Sequence, residues 1–107
     1  MRSFIAIKYF SDSYRSARLA TSAGTASGMT THLSGTDELR KAHLDYLGQL
    51  KEEGKLFCGG PVTDWSFAMD IYRAESKEEV QRLLDGDPFI QKGILSHCEI
   101  KEWRQAF

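Results

Sequence analysis

The sequence predicts an α+β domain in which two helices cover one face of a four-stranded antiparallel sheet. Three observations carry this reading. Residues 36–54 have the apolar spacing of a helix, four shorter stretches have strand composition, and a capped second helix stands before the last of them. The resulting order is strand, helix, strand, strand, helix, strand, the βαββαβ arrangement of ferredoxin-like units.

Ser3–Phe10 (SFIAIKYF) is rich in β-branched and aromatic residues and short enough for a strand. Ile5, Ile7 and Tyr9 fall on one face, and Phe4, Ala6, Lys8 and Phe10 on the other. Apolar groups on both faces require cover on both sides, and a second copy of the chain is the natural cover in so short a sequence. Residues 11–35 read as a long loop rich in Ser, Thr and Gly, with at most a short helical turn over Tyr14–Leu19. A loop of this length is either a flexible surface excursion or a lid. As a lid it would bring Arg15, Arg18 or His32 over a pocket.

Thr36–Gly54 follows as the central helix. Leu39, Ala42, His43, Tyr46, Leu47 and Leu50 recur at spacings of three and four and share one stripe. Asp37 and Glu38 suit the positive end of the helix dipole, and Gly54 is the expected stop. His43 is the odd member, because an imidazole on an apolar stripe must find a hydrogen-bond partner. A short strand at Lys55–Cys58 is expected to break at Gly59-Gly60-Pro61, either in a plain turn, which explains the glycines alone, or in a bulge or strand end where backbone comes close to another group. Thr63–Ser66 reads as a hairpin turn. Phe67–Arg73 alternates, with Phe67, Met69 and Ile71 expected inward and Ala68, Asp70 and Tyr72 opposite. Ser76-Lys77-Glu78-Glu79 is a capping box opening a helix with Val80, Leu83 and Leu84 buried and Gly86 at its end. Pro88 holds Asp87 extended, so the Asp87 carboxylate is expected to turn inward instead of capping a helix, the alternative being that it only accepts bonds from the backbone of its own Asp-Pro turn. Ile94–Trp103 is the last strand.

At 107 residues the chain is expected to be a single domain, 1–107. Its 14 basic and 15 acidic residues nearly cancel, without the basic footprint of a nucleic-acid binder. The apolar run Phe4–Ile7 is too short to span a membrane or serve as a signal peptide, which predicts a cytoplasmic protein with no membrane partner. Cys58 and Cys98 are too few and too far apart for a disulfide framework. With His32, His43 and His97 they give no zinc spacing, so no metal is expected, and no glycine pattern matches a P-loop or dinucleotide fingerprint.

Further marks are a set of short motifs in order. They are His43-Leu44-x-Tyr46-Leu47, Glu53-Gly54-Lys55-Leu56, Gly59-Gly60-Pro61-Val62, Ile71-Tyr72 with Ala74-Glu75-Ser76, Asp87-Pro88-Phe89 with Gly93, and Glu99-Ile100-x-x-Trp103. Together they resemble the YCII-related family over residues 36–103, and more loosely over the first strand. The resemblance implies a dimeric α+β barrel, with two sheets packed face to face. It also implies a His–Asp pair at His43 and Asp87 between helix and sheet, with Arg40 and the Gly60-Pro61 turn as pocket neighbours. The activity it implies is dehydrochlorination of a chlorinated hydroxyhydroquinone, or related acid–base chemistry on a phenolic or quinoid molecule without a cofactor. The 11–35 segment is longer than the family's usual pattern.

The residue types fit such chemistry. A neutral imidazole held by a carboxylate is a general base near neutral pH. Arg40 would stabilise a phenolate, and Tyr46 and Trp65 would offer aromatic contact to a ring. Two other readings share the fold. One is a binding or sensing module that turns nothing over; the other is a structural dimerisation domain whose His–Asp pair serves stability.

Overall fold

The computed structural model describes the backbone of residues 2–22 and 30–107 and the side chains of residues 2–20 and 37–107. Strand β1 (Arg2–Phe10) leads into helices α1 (Asp12–Ser22) and α2 (Thr30–Glu52). Strands β2 (Leu56–Pro61) and β3 (Phe67–Ala74), helix α3 (Lys77–Asp85), the single turn α4 (Pro88–Gln91) and strand β4 (Leu95–Trp103) complete the chain. The four strands form one sheet in the order β2-β3-β1-β4, with every pairing antiparallel. This is the ferredoxin-like α+β arrangement expected from the sequence.

The period of two in β1 sorts its side chains cleanly. Phe4, Ala6, Lys8 and Phe10 are buried under the helices, while Ile5, Ile7 and Tyr9 are half-buried on the open face. In β3 the expected sides are reversed. Asp70, Tyr72 and Ala74 are buried, and Phe67, Met69 and Ile71 stand on the open face, paired in register with Tyr9, Ile7 and Ile5. Alternation fixes which residues share a face but not which face meets the helices; the register with β1 decides that. The main core joins Phe4, Ala6 and Tyr72 of the sheet to Leu50 of α2 and to Val80 and Leu84 of α3.

The reading of 11–35 as a loop is corrected on both sides of residues 23–29, which lie outside the described residues. Residues 12–22 are helical, and α2 begins at Thr30, six residues before the expected start at Thr36. The Ser11 hydroxyl accepts the Tyr14 N–H at 3.4 Å, in the manner of an N-cap serine, and Asp12 occupies the first turn of α1. Ser34, Gly35 and Thr36 are poor helix formers, so periodicity hides the start of α2. An established helix extends through such residues at a small cost each, because propagation does not repeat the cost of nucleation. Ala42 also departs from the expected stripe and is exposed.

Helix α2 stops where Gly54 takes φ +78°, with the Lys55 N–H returning to the Leu50 carbonyl at 2.9 Å. Strand β2 does not break at its glycines; pairing continues to Pro61, with a register shift between Leu56 and Cys58. Helix α3 opens on Ser76, whose hydroxyl accepts the Glu79 N–H at 3.2 Å. The Glu79 carboxylate reaches back one residue further than the usual capping box, to the Glu75 N–H at 3.1 Å.

Candidate functional site

The site is built around the turn from α3 into α4. Asp87 precedes a proline and so adopts an extended conformation, φ −76° and ψ 123°. Pro88 opens α4, where its missing N–H is no loss. Asp87 is wholly buried, and its Oδ1 caps α4 by accepting the Phe89 N–H at 3.0 Å. The expectation that this carboxylate faces inward instead of capping is therefore corrected: it does both. The same Oδ1 lies 2.6 Å from Nδ1 of His43, and Oδ2 accepts from Lys8 Nζ at 3.1 Å.

His43 leaves α2 toward the sheet with its side chain 13 % exposed. A carboxylate can only accept, so the Asp87 contact places a proton on Nδ1 and leaves Nε2 for a ligand. The imidazole stacks parallel on Phe89, with ring centroids 3.9 Å apart and planes 1° apart. Ring plane and ring edge are thus both fixed.

Behind the pair lies a charge network that the sequence reading did not identify as functional. Lys8 Nζ forms a second ion pair with Asp70 Oδ2, and both side chains are only 2 % exposed. Tyr72 donates its hydroxyl proton to Asp70 Oδ2 at 3.2 Å. Burial alone would raise the Asp87 pKa, yet the His43 hydrogen bond and the Lys8 charge hold it below the ordinary carboxylate value. Burial likewise works against the Lys8 ammonium, but Asp70 and Asp87 outweigh it and hold the pKa above that of an ordinary lysine. Gly59 makes room for this network. A Cβ placed there would lie 2.1 Å from Asp70 Oδ1, so the glycine is required by the buried carboxylate across the sheet.

A cleft of about 80 Å³ opens in front of these residues. Arg40, His43 and Leu44 of α2 line it, as do Gly60 and Pro61 of β2 and Trp65 of the turn that follows. Lys8 and Asp70 reach it from the sheet, while Phe10, Tyr14 and Phe89 add aromatic surface. The cleft thus gathers five of the predicted site residues, Arg40, His43, Gly60, Pro61 and Trp65, with Asp87 directly behind His43. Tyr46 is the exception. Its hydroxyl donates to the Leu83 carbonyl at 2.6 Å and its ring packs against the core, so it links two helices and is not among the residues lining the cleft.

Sequence reasoning missed Lys8, Asp70, Tyr14 and Phe89. The available signal was a lysine in the same alternation as Phe4, Ala6 and Phe10, and an aspartate in the alternation of Ala68 and Tyr72. A charge at a core position requires a partner, and each is the other's.

Helix α1 supports the turn that brings Trp65 to the cleft. Trp65 has φ +62°, a left-handed conformation uncommon for so large a residue. The Arg18 guanidinium lies 4.6 Å from the centre of the Trp65 ring, and Arg15 Nε donates to the Asp64 carbonyl at 3.0 Å. Asp64 Oδ1 closes the turn by accepting the Ser66 N–H at 2.9 Å. The two arginines of the expected lid therefore brace the hairpin turn and do not line the cleft; the His32 side chain lies outside the described residues.

Fold and site together define a ferredoxin-like α+β domain with a histidine–aspartate pair on the wall of a small cleft. The chain belongs to the YCII-related domain family, whose pattern matches residues 12–104. It is 29% identical over 79 residues to Protein YciI of Escherichia coli O6:H1, spanning 64% of this chain and 81% of that one. It is 32% identical over 62 residues to the uncharacterized protein YjpA of Bacillus subtilis, spanning 58% and 72%. Among solved structures it is similar to the 5-chloro-2-hydroxyhydroquinone dehydrochlorinase TftG of Burkholderia phenoliruptrix AC1100, in complex with 2,5-dihydroxybenzoquinone. That likeness has a TM-score of 0.64 at 23% identity and covers 97% of this chain and 95% of the other, which establishes a shared fold. Among the described residues, no helix is long and apolar enough to cross a membrane.

Proposed function

We propose that the protein is a cytoplasmic, cofactor-free acid–base enzyme for a small phenolic or quinoid molecule, and that its reaction is loss of HCl from a chlorinated hydroxyhydroquinone. The observation that carries this reading is the 2.6 Å contact between His43 Nδ1 and Asp87 Oδ1 at the wall of the cleft. An imidazole whose Nδ1 is bound to a buried carboxylate presents Nε2 as a base, and the carboxylate stabilises the imidazolium formed when a proton is taken.

The reaction balances with one base. His43 takes a proton from a ring hydroxyl, and the electron pair moves through the ring to the chlorine-bearing carbon, which receives a proton. A second hydroxyl then gives up its proton, its oxygen becomes a carbonyl, and the shifting electron pair expels chloride. Two O–H protons leave and one C–H bond forms, so one proton and one chloride are released and no external oxidant is needed. In this scheme the Arg40 guanidinium stabilises the intermediate phenolate, while Trp65 and the Gly60-Pro61 backbone bound the ring.

The same proposal includes a homodimer. The open sheet face carries Ile5, Ile7, Tyr9, Phe67, Met69 and Ile71, and the helices lie on the other side. A second copy packed face to face would cover this surface, burying about 2,000 Å² or more in total if the dimer is obligate.

Two titrations test the function. A chloride electrode should register release when the protein is mixed with a chlorinated hydroxyhydroquinone, and tryptophan fluorescence should report binding of 2,5-dihydroxybenzoquinone. Quinone binding without chloride release would replace the enzyme reading with the binding-module one. Neither signal would overturn both.

A further inference from the structure

We propose that Lys8 and Asp70 are positioning residues of this site, with Lys8 holding Asp87 as an anion and the Asp70–Lys8 pair together setting the pH at which His43 takes up a proton. The proposal rests on the reading of His43 as the acid–base group. Its observations are geometric. Lys8 bridges two buried carboxylates, one of which directly holds His43 Nδ1. Lys8 and Asp70 also reach the cleft that His43 lines.

A purely stabilising role fits these groups poorly. Apolar residues of similar volume usually stabilise a core as well as a buried ion pair does, without its desolvation cost. Here the charged pair continues the buried face that Phe4, Ala6 and Tyr72 make up. The network is also unequal. One ammonium faces two carboxylates, leaving one formal negative charge beside the imidazole. Lys8 limits that charge and Asp70 adds to it.

The surroundings leave few competing titrations. Tyr72 of β3 and Tyr14 of α1 are held above the ordinary phenol value by burial. Burial likewise raises the thiol of Cys98, which is paired in register with Lys8 on β4. Arg40 of α2 contributes a guanidinium at the cleft wall.

Removing charges of opposite sign across the network separates positioning from structure. The His43 ring nitrogens are followed by ¹⁵N NMR against pH, with the His43 signals assigned by their loss in His43→Gln. Lys8→Met should raise the His43 midpoint by about one pH unit, and Asp70→Asn should lower it by about half a unit or more. Opposite shifts support the proposal. Shifts of the same sign, or none, overturn it, because lost packing has no reason to follow the sign of the removed charge. If Lys8→Met does not fold, Asp70→Asn alone decides: a midpoint unmoved or raised overturns the proposal. The acid limb of the kcat/KM profile should move with each midpoint. Opposite NMR shifts with undiminished chloride release in His43→Ala would support the electrostatic assignment while refuting His43 as the base.

Discussion

The His43 imidazole lies parallel to the Phe89 ring, 3.9 Å between centroids, while Asp87, two residues earlier, holds the imidazole edge at 2.6 Å. One Asp-Pro-Phe stretch therefore fixes the histidine in two independent ways. Asp87 sets its tautomer, and Phe89 sets its plane. Proline makes this possible by keeping Asp87 extended while opening the turn that carries Phe89.

Phe89→Leu should separate these effects. It removes the stacking surface but keeps the Asp87 cap and its bond to His43. Stability should fall by about 1–2 kcal/mol from the lost aromatic pair and imperfect filling, and kcat should fall about tenfold because the imidazole gains freedom. Urea denaturation and steady-state chloride release check the two numbers. An unchanged kcat with the expected stability loss would show that ring plane does not matter.

Gly59→Ala and Gly60→Ala should differ sharply although they are neighbours. An alanine at 59 drives a Cβ into the Asp70 carboxylate and should cost about 2–3 kcal/mol. At 60 nothing lies within 4 Å of the added carbon, so stability should stay within about 0.5 kcal/mol of the parent. Urea midpoints of both variants test the contrast, and equal midpoints would refute it.

The fold class was legible because its elements announce themselves locally. Alternation in Ser3–Phe10 and the Ser76 cap need no tertiary information. The inward face of β3 was not legible, since Phe67, Met69 and Ile71 are the more apolar set and still face away from the helices. An open face that a second subunit would cover reads, in a single sequence, like a core. For the site, the residues holding His43 and Asp87 in place were harder to see than the pair itself. Lys8 and Asp70 are single charges far apart in sequence, and only the strand register brings them together. Helix α1 was hidden by its Ser- and Ala-rich composition, although Tyr14 is among the buried aromatics of the second core cluster.

Stability should depend on pH in a defined direction. The Asp87 pKa lies below its ordinary value of 3.8, so its contribution is present above that value and is lost as pH falls through the lower, folded-state value. Lys8 lies above its ordinary value of 10.5, so its contribution is present below that value and is lost as pH rises through the higher one. Urea midpoints should therefore drop below about pH 4, as the Asp87 contribution is lost. A midpoint that held steady or rose from pH 4 to pH 2.5 would contradict the assignment of Asp87.

The dimer can be tested by placing charge on the open sheet face. Met69 is 41 % exposed in the single chain and pairs in register with Ile7 at the centre of that face. Sedimentation should find a dimer at micromolar concentration, and Met69→Lys should shift it to monomer with its secondary structure intact. A wild-type monomer, or a Met69→Lys dimer of undiminished affinity, would rule this face out as the interface.

The central claim is that His43, held by Asp87, is the base. The direct measurement is the rate of chloride release from a chlorinated hydroxyhydroquinone by wild type and by His43→Gln, with circular dichroism confirming that the variant folds. With His43 as the base, kcat should fall about 10²-fold or more with little change in KM. Chloride release at the wild-type rate from folded His43→Gln would contradict the claim.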